Sequence, residues 1–309
     1  MCGIVGYIGN REAVPVLLKG LKKLEYRGYD SAGIAVRGKI GLIIRKAKGA
    51  LKNLEDKIEA EIHSGALSGT MGIGHTRWAT HGEPSDINAH PQTDVSGKIA
   101  VVHNGIIENY AKLKEWLIGK GVSFKSATDT EIIANLISYH YKGDLLQAVI
   151  DAIGRLEGSW ALVILSTDDP DRIIAVRKEN PLVLGQSAGE AVVGSDVPAL
   201  LEYTRDVYYL EDGEIAVLHR DHIDFRNNEG QSIEKKVVHI DWDTAAAEKG
   251  GYEHFMLKEI HEQPKAFLDT LRPRIVVDGG LRRVNLDEIG LDKEWAVEHM
   301  QASRVVISA

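Results

Sequence analysis

Cys2 is the only cysteine among 309 residues, and a small residue, Gly3, follows it. A thiol one position from the start of the chain can do a particular chemistry. Removal of Met1 would leave a free α-amino group beside it, with a reference pKa of about 7.7–8.0 against about 8.5 for the thiol. The amine can then take the thiol proton near neutrality without a histidine partner, and the thiolate can attack a carbonyl carbon. Taken alone, the position reads more simply as a small buried hydrophobe opening the strand Gly3–Ile8.

Acyl chemistry also needs donors aimed at the oxyanion that develops. At the end of the apolar run Ile99–His103 stands Asn104-Gly105, where a side-chain amide and an unobstructed backbone N–H could converge; one such donor stabilises a transition state by about 3 kcal/mol. The same dipeptide is also a strong hairpin-turn signal. The segment His75-Thr76-Arg77-Trp78-Ala79-Thr80-His81-Gly82-Glu83-Pro84 is dense in polar groups. Its arginine can grip a carboxylate through two parallel hydrogen bonds, and Thr80, His81 and Gly82 suit a loop that closes over a ligand. An ordinary surface turn with a half-buried Trp78 accounts for it equally. Asp129 precedes a helical pattern and by default caps it; a functional role would require it to face an ammonium group.

His75, His81, His90 and His103 invite a metal, but their spacing fits no compact zinc signature and no second cysteine exists. No metal is expected. The glycines of Gly3-Ile4-Val5-Gly6-Tyr7-Ile8-Gly9 do not form the dinucleotide fingerprint, and no glycine-rich loop ends in Gly-Lys-Ser or Gly-Lys-Thr, so no nucleotide cofactor is expected either.

The elements that must position these groups are short. Apolar runs predict strands at Ile4–Ile8, Gly33–Val36, Gly41–Arg45, Met71–His75, Ile99–His103, Trp160–Leu165, Ile173–Val176, Leu182–Leu184, Val192–Val193, Val207–Leu210 and Ile215–Leu218. Helical periodicity runs through Val14, Leu17, Leu21 and Leu24, then Ile132–Ile137, then Leu145–Ile153, with further helices expected near 109–119 and 197–203. Strands follow one another directly around 160–220, which points to antiparallel sheets with helices outside, an α+β layered class. The pattern changes at 241–265, where a linker is expected, and 266–309 reads as helical patterns ending in an apolar strand, Val305–Ala309.

With 44% hydrophobic and 27% charged residues the chain can bury a substantial core. A net charge of -8 offers no basic surplus for nucleic acid or anionic lipid. No apolar run approaches the roughly 20 residues needed to cross a bilayer, and no signal-peptide pattern opens the chain. A cytoplasmic protein is expected.

In order along the chain, these segments resemble the class II glutamine amidotransferases. The resemblance rests on Cys2-Gly3-Ile4-Val5-Gly6, Leu24-Glu25-Tyr26-Arg27-Gly28-Tyr29-Asp30-Ser31-Ala32-Gly33, the His75–Pro84 segment, Asn88-Ala89-His90-Pro91 and His103-Asn104-Gly105-Ile106-Ile107-Glu108-Asn109. Together with His254-Phe255-Met256-Leu257-Lys258-Glu259-Ile260-His261-Glu262-Gln263-Pro264 they are similar to the glutamine–fructose-6-phosphate aminotransferase family, over essentially the whole chain. The resemblance implies an N-terminal-nucleophile fold, an αββα sandwich of two antiparallel sheets. It implies Cys2 as nucleophile with its own amine as base, Asn104 and Gly105 as oxyanion hole, and Arg77, Asp129, Thr80 and His81 around bound L-glutamine. Arg27 resembles the arginine that supports the nucleophile, and Trp78 the gate toward an ammonia channel.

The same resemblance divides the chain into a glutaminase domain at 1–240, a linker at 241–265 and, at 266–309, the start of a sugar-isomerase domain whose remainder would follow Ala309. Fructose 6-phosphate would then be reached only through that missing half, and a homo-oligomer is open. The nearest rivals are the amidotransferase halves of amidophosphoribosyltransferase or asparagine synthetase, a hydrolase of other amides, and a catalytically inactive regulatory module of the same fold.

Overall fold

Each strand expected from the apolar runs between Ile4 and Leu218 forms. The computed structural model describes residues 2–79, 82–241, 255–271, 275–278 and 281–284, and these fall into two units divided between Glu248 and Lys249. The larger unit begins β1 (Gly3–Ile8), α1 (Ala13–Leu24), β2 (Ser31–Arg37), β3 (Leu42–Lys48), α2 (Leu51–His63), β4 (Met71–Arg77), β5 (Gln92–Thr93) and β6 (Ile99–Ile107). It continues through α3 (Tyr110–Ile118), α4 (Thr130–His140), α5 (Leu145–Ile153), β7 (Gly158–Ser166), β8 (Ile173–Lys178), β9 (Val183–Ser187), β10 (Glu190–Gly194), β11 (Asp206–Tyr209), β12 (Ile215–Leu218), β13 (Ile223–Arg226) and β14 (Val238–His239).

One sheet runs β14-β11-β9-β10-β1-β4-β2-β3 and the other β13-β12-β8-β7-β6-β5, with antiparallel pairing throughout. Because side chains alternate along a strand, β1 serves two cores at once. Ile4 and Ile8 join Ile73, Val102, Val163 and Leu165 between the sheets. Val5 and Tyr7 point the other way, onto Leu17 and Leu21 of α1. Helices α3, α4 and α5 cover the outer face of the second sheet through Leu113, Ile133, Leu136, Ile137 and Val149. Helix, sheet, sheet, helix is the αββα sandwich the resemblance implied.

Residues at i, i+3 and i+7 set the buried stripe of α1, and full burial of each leucine contributes about 1.5–3 kcal/mol. Gly20 lets this helix approach β1: a Cβ there would lie 3.0 Å from both methyls of Val5. Helix α2 was not anticipated, because its charged residues hide a stripe of only Leu51, Leu54 and Ile58, all buried. Strands β5, β13 and β14 were also missed. The helix expected at 197–203 is a single 3-10 turn, Val197–Ala199, opened by Asp196 accepting from the Val197 N–H.

In the smaller unit a helix, α6 (Phe255–Leu271), contains Pro264, and an antiparallel hairpin pairs β15 (Ile275–Asp278) with β16 (Leu281–Val284). The hairpin falls where only helical patterns were expected, and α6 runs across the expected boundary at 265/266. The expected strand Val305–Ala309 lies outside the described residues.

Candidate active site

The antiparallel register brings the candidate residues together. Gly3 pairs with Thr76, so the ladder places Cys2 beside Arg77 at the end of β4. The Trp78 backbone N–H donates to Cys2 Sγ at 3.1 Å. In the second sheet, β6 does not turn at Asn104-Gly105 but continues to Ile107, with Asn104 opposite Ala161 and Gly105 opposite Trp160. The hairpin-turn reading of that dipeptide is therefore corrected. Pairing along all nine residues of β6 outweighs the local turn preference.

Gly105 has a φ of +131°, a region open to glycine and strained for other residues. A Cβ there would stand 2.1 Å from the Ser159 carbonyl oxygen. The residue type is thus dictated by a β7 backbone far away in sequence.

Asn104 is held from both sides. Its Nδ2 donates to the Cys2 carbonyl oxygen at 2.9 Å, and its Oδ1 lies 3.0 Å from His75 Nε2. The same Nε2 is 3.1 Å from the His103 carbonyl oxygen, which can only accept, so Nε2 carries the proton. Burial, reinforced by Arg77 and His103, pushes the His75 pKa down to about 3 against the hydrogen bonds it donates to Asn104 and the His103 carbonyl. His75 is a fixed neutral donor, and it orients the amide so that the second Nδ2 hydrogen remains for a ligand. Next to it, the His90 ring lies 4.3 Å from that of His75, with Nε2 3.1 Å from Thr130 Oγ1; His103 Nδ1 is 3.1 Å from the same hydroxyl. Burial also lowers the His90 pKa well below its usual value.

A cavity of about 310 Å³ opens over these groups, lined by Cys2, Arg27, Arg77, Trp78, Asn104, Gly105 and Asp129. Ser159, Asn180 and Ile106 share the lining and were not singled out in the sequence. Arg77 is 3% exposed, donates to the Gly82 carbonyl oxygen at 3.2 Å, and has its pKa lowered by burial against the opposing pull of Cys2 and Asp129. Asp129 precedes α4 but does not cap it. Its Oδ2 instead accepts the Ile107 N–H at 3.0 Å, which ties the start of α4 to the end of β6. Arg27 donates to Asp196 Oδ2 at 2.8 Å and to the Ser195 carbonyl oxygen at 3.3 Å, while the Ser195 hydroxyl accepts the Ile4 N–H. Arg27 therefore braces β1 just behind Cys2. Trp78, 46% exposed, meets Tyr29 edge to face at 5.5 Å near the opening. Thr80 and His81 lie outside the described residues.

The thiol itself is pushed up by burial, opposed by the Trp78 N–H and by Arg77 and Arg27. A raised thiol pKa favours the protonated form, so attack calls for a base. The arrangement combines one nucleophile, an amide donor beside a glycine, and a buried cation and anion that can engage the two ends of a zwitterion. It suits attack on an amide carbonyl of an amino acid.

Residues 75–202 match the family model described as a glutamine amidotransferase domain. Among solved structures, glutamine phosphoribosylpyrophosphate amidotransferase from B. subtilis, complexed with ADP and GMP, superposes with a TM-score of 0.62 at 26% identity, over 74% of this chain and 49% of that one. The chain thus carries a glutamine amidotransferase domain, similar to those of the class II enzymes.

Within that class it is 55% identical to the glutamine–fructose-6-phosphate aminotransferase (isomerizing) of Clostridium acetobutylicum, over 95% of this chain and 47% of the relative. Identity and coverage are the same for the enzyme of that name from Caldanaerobacter subterraneus subsp. tengcongensis. The chain spans about half the length of these relatives and is homologous to their glutaminase half. Among the described residues, no helix is long and apolar enough to cross a membrane.

Proposed function

We propose that the chain hydrolyses L-glutamine to glutamate and ammonia with Cys2 as nucleophile, and that in a longer protein the ammonia serves to aminate fructose 6-phosphate. The observation that carries this reading is the meeting of Cys2, Asn104, Gly105, Arg77 and Asp129 around one cavity. With Met1 removed, the Cys2 amine takes the thiol proton and Sγ bonds to the amide carbon. The oxyanion receives hydrogen bonds from Asn104 Nδ2 and the Gly105 N–H. The tetrahedral intermediate then collapses as the proton passes to the leaving nitrogen, and ammonia departs. Water attacks the thioester, the amine again taking a proton, and glutamate leaves as the thiol re-forms.

Arg77 is assigned the substrate carboxylate, Asp129 its ammonium, Thr80 and His81 the loop over the substrate, Arg27 the support of Cys2, and Trp78 the gate. The division into a glutaminase domain at 1–240, a linker at 241–265 and the start of a sugar-isomerase domain at 266–309 is part of the same proposal. So is a cytoplasmic setting, which keeps a nucleophilic thiol reduced.

The test is glutamate and ammonia release from glutamine by protein with Cys2 as its first residue, compared with protein carrying an extension before Cys2. Equal rates would refute the amine as base. Aminosugar formed by these 309 residues from glutamine and fructose 6-phosphate would refute the division of labour.

A further inference from the structure

Strands β12 and β13 are joined by His219-Arg220-Asp221-His222, with Arg220-Asp221 at the tip. Leu218 pairs with Ile223, so His219 and His222 are the residues that flank the turn, and the His219 N–H donates to the His222 carbonyl oxygen at 2.9 Å. Their rings stack at 4.3 Å with 9° between planes. Asp224 stands two residues beyond His222 and so on the same face of β13.

His219 Nε2 lies 3.7 Å and His222 Nε2 3.8 Å from Asp224 Oδ2, and one ligand atom from each of the three residues lies within 4.8 Å of the other two. These gaps are too long for hydrogen bonds. They are close to the roughly 3.4 Å ligand–ligand separation of a tetrahedron whose ligand distances are about 2.0–2.1 Å. A second carboxylate completes the pattern. Asp221 Oδ1 is 2.8 Å from His222 Nδ1, a contact that holds the proton on Nδ1 and leaves the Nε2 lone pair facing the cluster.

We propose that His219, His222 and Asp224 form a site for a divalent transition metal of the zinc type, with Asp221 as the outer carboxylate that orients His222. Two imidazoles and one carboxylate suit zinc, cobalt or nickel rather than magnesium or calcium, which prefer all-oxygen ligands. None of these residues lines the Cys2 cavity. The bound ion would fasten the β12–β13 hairpin, whose turn already reaches the other sheet through the Arg220 carbonyl oxygen, accepting from Gln186 Nε2, and through Arg220 donating to Thr70.

The test is calorimetric titration of the full chain with zinc chloride, carried out on Cys2→Ser protein so that the thiol cannot act as a rival ligand. One zinc should bind per chain, with affinity at least 100-fold weaker in His219→Ala and in His222→Ala, and 10–100-fold weaker in Asp221→Asn, the usual cost of losing an outer-shell partner. Cobalt should give a visible absorption band in the parent that is absent from His222→Ala. Failure of the parent to bind zinc, or parental affinity in both histidine variants, would overturn the proposal. Because the two histidines are solvent-accessible turn residues, circular dichroism should show the variants folded.

Discussion

Two groups of histidines occupy opposite environments. His75, His90 and His103 are 5% exposed or less and sit where β4, β6 and α4 meet. His219 and His222 stand at an accessible hairpin turn. In the first group every described contact runs to another protein group, so the rings act as fixed donors and acceptors that hold Asn104 and Thr130. In the second the ring nitrogens face one another and a carboxylate at a distance that leaves room for an ion. The same side chain becomes a fixture or a ligand according to what desolvates it.

The sharpest way to break this contrast is at the residue the buried group serves. Cys2→Ala should abolish ammonia release and any labelling by an electrophilic glutamine analogue; label on another residue would move the site. Asn104→Ala should lower kcat by about 10²–10³-fold with little change in KM, since its contact strengthens as the oxyanion forms. His75→Ala should reproduce part of that loss, up to about 10²-fold in kcat, by releasing the Asn104 amide from its orientation. His75→Gln, which keeps a donor, should recover some of it. An unchanged kcat in folded His75→Ala would deny the ring its positioning role.

Arg77→Ala and Asp129→Asn should each act mainly on KM, raising it roughly 10–150-fold, the equivalent of about 1.5–3 kcal/mol for a charge-assisted contact. Unchanged KM in both would remove them from substrate recognition.

A last expected effect, on stability rather than activity, is its dependence on pH. His75 has a folded pKa of about 3 against 6.5 as its ordinary value. Between these values the unfolded chain binds a proton the folded chain does not, so stability falls as pH drops from 6.5 toward 3, by at most about 1.4 kcal/mol per pH unit for this ring. His90, shifted the same way, adds to it. Denaturant midpoints measured from pH 7 to pH 4 should show this slope. It should lessen in His75→Gln and persist in His222→Ala.

Strands were legible because burial on both faces leaves short apolar runs with little ambiguity, and the order of motifs along the chain carried the family. Context over long range was not legible. Asn104-Gly105 has the sequence of a turn, but its pairing with β7 and the Ser159 carbonyl under Gly105 decide otherwise. Asp129 looks like a helix cap, yet the Ile107 N–H claims its carboxylate. Nothing near His75 in sequence reveals that its partner is Asn104, and His219, His222 and Asp224 match no metal signature until the β12–β13 register brings them together.

The place of β1 has a consequence for the order of events during synthesis. Its neighbours are β4 and β10, and Ile8 and Val5 find their partners at Ala191 and Gly194. Residues that far along the chain emerge roughly 10–40 s after the first, at about 5–20 residues per second. Until then one edge of β1 has no strand to pair with, and the ribosome-bound chain still presents its start. An aminopeptidase that acts on Met1 therefore has its opening early, before β10 fixes the strand that follows the cysteine. Chains stalled before Glu190 should lose Met1 faster than the completed, folded protein, and equal rates would show that pairing of β1 with β10 is no obstacle.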